Sequence, residues 1–154
     1  MEDVQAALGT IHLFRGLAPS GLARIAAIAG EETYERNTLV FREGDVGAKL
    51  YLILEGKVRI SRNLSGMGEE ALAVLGPGEA FGEMSLIDDT PRSADAVVHE
   101  RARLLVITRE AFEDLLFLHK DLAYEILWNF VKTLSGRLRE ANDKMAFMTV
   151  TARF

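Results

Sequence analysis

The chain has 154 residues, 49 % of them hydrophobic and 27 % charged, with a formal net charge of −5 and no cysteine. That length suits one domain with an appendage and a sizeable core, and the missing cysteines exclude disulfides, thiolate catalysis and Cys-ligated zinc or iron–sulfur sites. The acidic balance argues against non-specific nucleic-acid binding, and neither a long apolar run nor a basic leader predicts a membrane span or signal peptide, so a cytoplasmic protein is expected.

Residues 4–30 read as helical with a break at GLAPSG. Pro19, Ser20 and Gly21 there suit a turn or a helix start, and LARIAAIAG runs on to a C-terminal cap at Gly30. From Tyr34 to Ile107 the apolar period becomes two. KLYLILEGKVRIS sets Leu50, Leu52 and Leu54 before Glu55-Gly56 and Val58 and Ile60 after it, which predicts two strands and a tight turn. Leu72 and Val74 alternate ahead of GPGE, Val97 and Val98 open a further strand, and RLLVI forms another. Turn signals recur at Glu43-Gly44-Asp45, Glu55-Gly56, Ser65-Gly66, Gly76-Pro77-Gly78 and His99-Glu100. Short antiparallel strands so punctuated predict a small barrel or roll.

From Thr108 the pattern is helical again, with Thr108 as a cap and Glu110 in the first turn of TREAF. A last helix is predicted from about Lys120 to Met148. In it Tyr124, Leu127, Val131, Leu134, Leu138, Ala141, Met145 and Met148 alternate spacings of 3 and 4, the seam of a two-stranded coiled coil. A helix packed only on its own domain is the alternative. However, Ala123, Ile126 and Phe130 supply a second stripe for that purpose, so the seam predicts a homodimer. Residues 120–154 carry 6 Lys/Arg and 4 Asp/Glu against 12 and 19 in residues 1–119, which suits a solvated helix face better than a DNA-binding arm.

The segment FGEMSLIDDTPRSADAVV, Phe81 to Val98, carries the chemistry. A guanidinium in so apolar a stretch needs an anion, and Arg92 has the fork that holds two phosphate oxygens at once. Gly82 permits close backbone approach, EMSLI can form one helical turn with amides aimed at an anion, and Ser93 adds a hydroxyl. Glu83 would repel a phosphate and suits sugar hydroxyls. An internal Glu83–Arg92 ion pair is the competing reading of the same residues.

The segment resembles the phosphate-binding cassette of cyclic nucleotide-binding domains, with Phe81, Gly82, Glu83, Met84, Ser85, Leu86, Pro91, Arg92, Ser93 and Ala94 all matching. LVFREGDVGAKLYLILEGKVRI resembles the early strands of that family's β-roll, and the likeness runs from about Leu13 to Phe154. It implies an α+β fold: an antiparallel, jelly-roll-like double-stranded β-helix with flanking N-terminal helices and a long C-terminal dimerisation helix. Residues 1–119 would form the roll with its helices, and residues 120–154 the dimer helix and ligand lid. It also implies Glu83 on the ribose 2′-hydroxyl, and Arg92 and Ser93 on the cyclic phosphate with backbone donors from Gly82, Glu83, Met84 and Ser85. Ile60 and Leu72 would line the pocket. Serine beside the arginine resembles cAMP-preferring more than cGMP-preferring members.

RLREANDKMAFMTVTARF resembles the dimer helix of catabolite activator-type bacterial regulators. There Arg137 and Asn142 would contact the purine, Asn142 from the partner subunit, while Ala141 replaces a common adenine-reading threonine. Exposure beside a coiled coil is the other reading of Arg137 and Asn142. In such regulators a helix-turn-helix domain follows where this sequence stops, so the expectation is a stand-alone sensor acting on an unidentified protein partner, without direct nucleic-acid or membrane binding. A sensor fragment of a longer transcription regulator and a structural dimer with a disused pocket are the alternatives. A metal enzyme on a cupin-like barrel is disfavoured because His12, His99 and His119 lack ligand spacing. No cofactor is expected.

Overall fold

The computed structural model describes residues 2–64 and 66–153. Helix α1 (Glu2–Leu8), a 3-10 turn (His12–Phe14) and α2 (Pro19–Ile28) lead into strands β1 (Gly30–Tyr34), β2 (Leu39–Phe41), β3 (Lys49–Leu64), β4 (Gly68–Leu75) and β5 (Ala80–Phe81). A second 3-10 turn (Glu83–Leu86) precedes β6 (Asp95–Thr108), α3 (Arg109–Leu118) and α4 (Lys120–Arg153). Pairing is antiparallel throughout, with β6 holding β1, β2 and β3, and β3 holding β4 and β5. An antiparallel sheet with flanking helices and a long final helix is the α+β roll that the sequence predicts.

Two local readings change. KLYLILEGKVRIS is one continuous strand, and so is the stretch around His99-Glu100. β3 and β6 stay paired from Lys49↔Thr108 to Ser61↔Asp95, and their register shifts at Glu55 and Lys57. Gly56 has φ +85°, and a Cβ there would run into the Arg101 carbonyl. A glycine with positive φ marks a bulge as well as a hairpin, and here the two strands bend together. Gly30 opens β1, and α2 ends at Ile28 without a left-handed cap. Of the Ser65-Gly66 turn, Ser65 lies outside the described residues.

Alternation along the paired strands builds two cores. Leu50, Leu52, Leu105 and Ile107 face the helices, packing with Phe14, Ile25, Phe112, Leu115, Leu122 and Ile126. Tyr51, Ile53, Leu104 and Val106 face the roll interior with Val58, Phe81, Ala96 and Val98. Both faces are buried there, which is why LYLIL is apolar at successive positions. Thr108 caps α3 as its position suggests, its hydroxyl accepting from Ala111 N at 3.2 Å. On α4 the stripe Ala123, Ile126 and Phe130 packs inward, whereas Tyr124, Leu127, Val131, Leu134, Leu138, Met145 and Met148 are exposed in the single chain.

Candidate functional site

A cavity of about 410 Å3 opens where β5, the second 3-10 turn and the loop before β6 face α4. Its walls include Phe41, Ile60, Gly82, Glu83, Met84, Ser85, Arg92, Ser93 and Arg137. Gly82, at φ +79°, caps the 3-10 turn in the left-handed region that glycine adopts freely. Within that turn the Ser85 N–H already bonds to the Gly82 carbonyl at 3.1 Å, so of the four expected backbone donors Ser85 is engaged locally.

Arg92 is 8 % exposed. Its backbone is held by Arg92 N–H to Asp45 O and Gly44 N–H to Arg92 O, both at 2.8 Å, beside the Val46↔Pro91 bridge. The guanidinium donates to Ser85 Oγ at 2.6 Å and to the Lys49 carbonyl at 2.9 Å, and stacks 4.1 Å from the Phe41 ring centre. None of these partners is an anion, and among the described residues no carboxylate forms an ion pair with Arg92. Burial lowers its pKa from the ordinary arginine value, with Tyr51 and Asp45 opposing that shift and Arg109 adding to it. A buried cation satisfied only by neutral acceptors and an aromatic face is a strong receptor for a small anion.

The internal Glu83–Arg92 pair is absent. Glu83 Oε1 instead accepts from Arg137 Nη2 of α4 at 2.9 Å, and Arg137 Nη1 lies 3.7 Å from Met84 Sδ. The long helix thereby reaches the cavity through one exposed arginine. Ile60 lines the cavity, and Ser93 is exposed at its rim with its carbonyl accepting from Arg62 at 2.8 Å. Leu72 stands elsewhere: β3 pairs Ile60 with Ala73 and Ser61 with Ala71, so Leu72 is the bulged residue of β4, 52 % exposed and outside the cavity wall. Asn142 is exposed on α4 beyond the cavity, beside the apolar seam.

Sequence reading missed Phe41, Tyr51, Lys49 and Gly47. Phe41 and Tyr51 supply the ring faces around Arg92, and Lys49 supplies only its carbonyl. A Cβ at Gly47 would stand 2.5 Å from Arg92 Nε, so this glycine is a steric requirement of the site. No local motif marks these residues, because they reach Arg92 from more than 40 positions away. His12, His99 and His119 are scattered; His99 and His119 contact Arg59 and Arg24 respectively. Among the described residues no group of His, Asp and Glu is placed to hold a metal ion, and no helix is long and apolar enough to cross a membrane.

The family model of the cyclic nucleotide-binding domain matches residues 31–119. The cyclic AMP receptor protein of Thermus thermophilus is 43 % identical over 137 residues, 89 % of this chain and 62 % of the relative. A CRP-like cAMP-activated global transcriptional regulator of Mycobacterium tuberculosis is 30 % identical over 151 residues, 98 % of this chain and 64 % of the relative. The chain thus spans a little under two thirds of these curated relatives. The crystal structure of the N-terminal domain of a Streptomyces coelicolor transcriptional regulator superposes with a TM-score of 0.80 at 34 % identity, over 90 % of this chain and 94 % of that one. Local geometry and likeness over most of the sequence therefore agree, and the chain belongs to the cyclic nucleotide-binding domain family, homologous to regulators of the catabolite activator type.

Proposed function

We propose that the chain is a non-enzymatic sensor module that takes cAMP, with cGMP the weaker ligand, and works as a homodimer through α4. The observation that carries this reading is Arg92, 8 % exposed, facing a cavity and paired with no acid among the described residues. The cyclic phosphate supplies the missing anion, seated on Arg92 and Ser93. Backbone N–H groups from Gly82 to Met84 face the same oxygens, and Glu83 takes the ribose 2′-hydroxyl. Ile60 flanks the purine, with Arg137 closing from α4 and Asn142 reaching over from the second subunit. A volume of about 410 Å3 suits one small nucleotide. Likeness to the Thermus cyclic AMP receptor protein and the Mycobacterium cAMP-activated regulator supports cAMP as the ligand.

A ribose hydroxyl on Glu83 would share that carboxylate with Arg137 of α4. Nucleotide shifts the helix only to the extent that it binds two helix positions unequally. The test is calorimetric titration of wild type and Arg92→Ala with cAMP and cGMP. Removing one side of a buried charge pair is expected to cost about 2–5 kcal/mol, a loss of roughly 30-fold or more. Equal affinities in wild type and variant would end this reading.

A further inference from the structure

We infer that Arg109, the first residue of α3, is a positioning residue that fastens the cassette to the helical layer and thereby aims Arg92; the inference rests on the cassette reading given above. Arg109 Nε donates to the Ser85 carbonyl at 2.7 Å and Nη2 to the Gly47 carbonyl at 3.1 Å. Nη2 also donates to the Asp88 carbonyl, and Nη1 pairs with the Asp89 carboxylate. One guanidinium thus spans two loops distant in sequence, the one before β3 and the one before β6, which also meet at the Val46↔Pro91 bridge.

Both loops carry the seat of Arg92. Ser85 presents its carbonyl to Arg109 and its hydroxyl to Arg92, while Gly47 presents its carbonyl to Arg109 and its bare Cα to Arg92 Nε. A shift of Arg109 therefore moves two of the surfaces that define where the Arg92 fork points. Only an arginine offers enough fixed donors for this; the single ammonium of lysine cannot reach all these carbonyls in one geometry. The Asp89 side chain is 85 % exposed, so that ion pair adds little, and the backbone bonds do the positioning.

Arg109 also has a second end. One and two turns along α3, Phe112 and Leu115 are buried in the core with Leu122 and Ile126 of α4 and Ile25 of α2. Arg109 thus joins the Ser85 and Asp88 carbonyls to a helix whose far side is packed against α4.

The test uses the full chain with Arg109→Gln and Arg109→Lys, and Arg101→Gln as a control, since among the described residues the exposed Arg101 side chain pairs with Glu35, away from the cassette. Hydrogen exchange on ligand-free protein reads the fastening itself. Amides of Ser85, Ile87, Asp88 and Arg92, which bond to carbonyls of these two loops, should exchange at least about 10-fold faster in both Arg109 variants, with the β3–β6 ladder unchanged. Unchanged exchange in the cassette, or equal acceleration in the ladder, would overturn the inference. In calorimetry, Arg109→Gln should weaken cAMP at least about 10-fold in wild type but less than about twofold in an Arg92→Lys background, because one residue acts through the other. Additive losses would overturn it. A wild type that binds neither nucleotide sinks the sensor reading alone, and the exchange result then decides the role of Arg109.

Discussion

Replacing Arg92 by methionine should change the stability of the ligand-free protein only modestly while abolishing its response to nucleotide. Arg92 is held out of water with no acid beside it, and its pKa is lowered chiefly by burial. A base whose pKa falls on folding holds its proton less tightly in the folded state, so the charge weakens the fold at every pH below that value, including the neutral range. Methionine has similar length and fills the same slot beside Phe41. Exchanging buried charge for apolar volume is neutral or favourable by about 1–4 kcal/mol. Against that stand the two lost hydrogen bonds, to Ser85 Oγ and the Lys49 carbonyl, at about 1.5–3 kcal/mol each because the donor is charged. The two effects nearly offset, leaving a loss of no more than about 2 kcal/mol, or about 6 °C in Tm for a chain of this size. The assay is thermal unfolding with and without cAMP. At 100 times Kd, ligand should raise wild type by about 2.7 kcal/mol, roughly 8 °C, and leave Arg92→Met unmoved. Adding ligand should therefore raise wild type alone and widen the gap between the two proteins. If Arg92→Met melts more than about 6 °C below wild type without ligand, the guanidinium is a structural asset and the reasoning fails.

Two further outcomes are expected. Leu134→Glu combined with Leu138→Glu should give a monomer by light scattering, since both side chains lie exposed on the α4 seam and each charge would face an apolar partner; a persistent dimer would place the interface elsewhere. Gly47→Ala should leave the fold intact, because Gly47 does not have positive φ, yet weaken cAMP by at least about 10-fold as its Cβ displaces Arg92 from 2.5 Å. Wild-type affinity in that variant would show that the Arg92 fork tolerates a different seat.

How much of this was legible depended on distance along the chain. Glycine, carboxylate and arginine lie within one short segment from Gly82 to Arg92, so the resemblance to a phosphate-binding cassette was visible locally, while the residues alone left an internal Glu83–Arg92 pair open. Thr108 and the two stripes of α4 follow from local capping and helical period in the same way. The strand corners were misread because positive φ at Gly56 serves a bulge shared by β3 and β6, a property of the pair and not of either strand. Leu72 kept the correct period but lost its place to the bulge one pair away. Phe41, Tyr51 and Gly47 had no local signal, since what they do for Arg92 is created only by folding.

Helix α4 has 34 residues, yet its inward stripe ends at Phe130. The remaining length, from there to Arg153, is about 35 Å at 1.5 Å per residue. It is a lever with a short anchored arm, and Arg137 grips it near the fulcrum. A tilt of about 5° at the anchored end would carry the far tip roughly 3 Å, so a sub-ångström adjustment at the cavity would be enlarged several-fold along the helix.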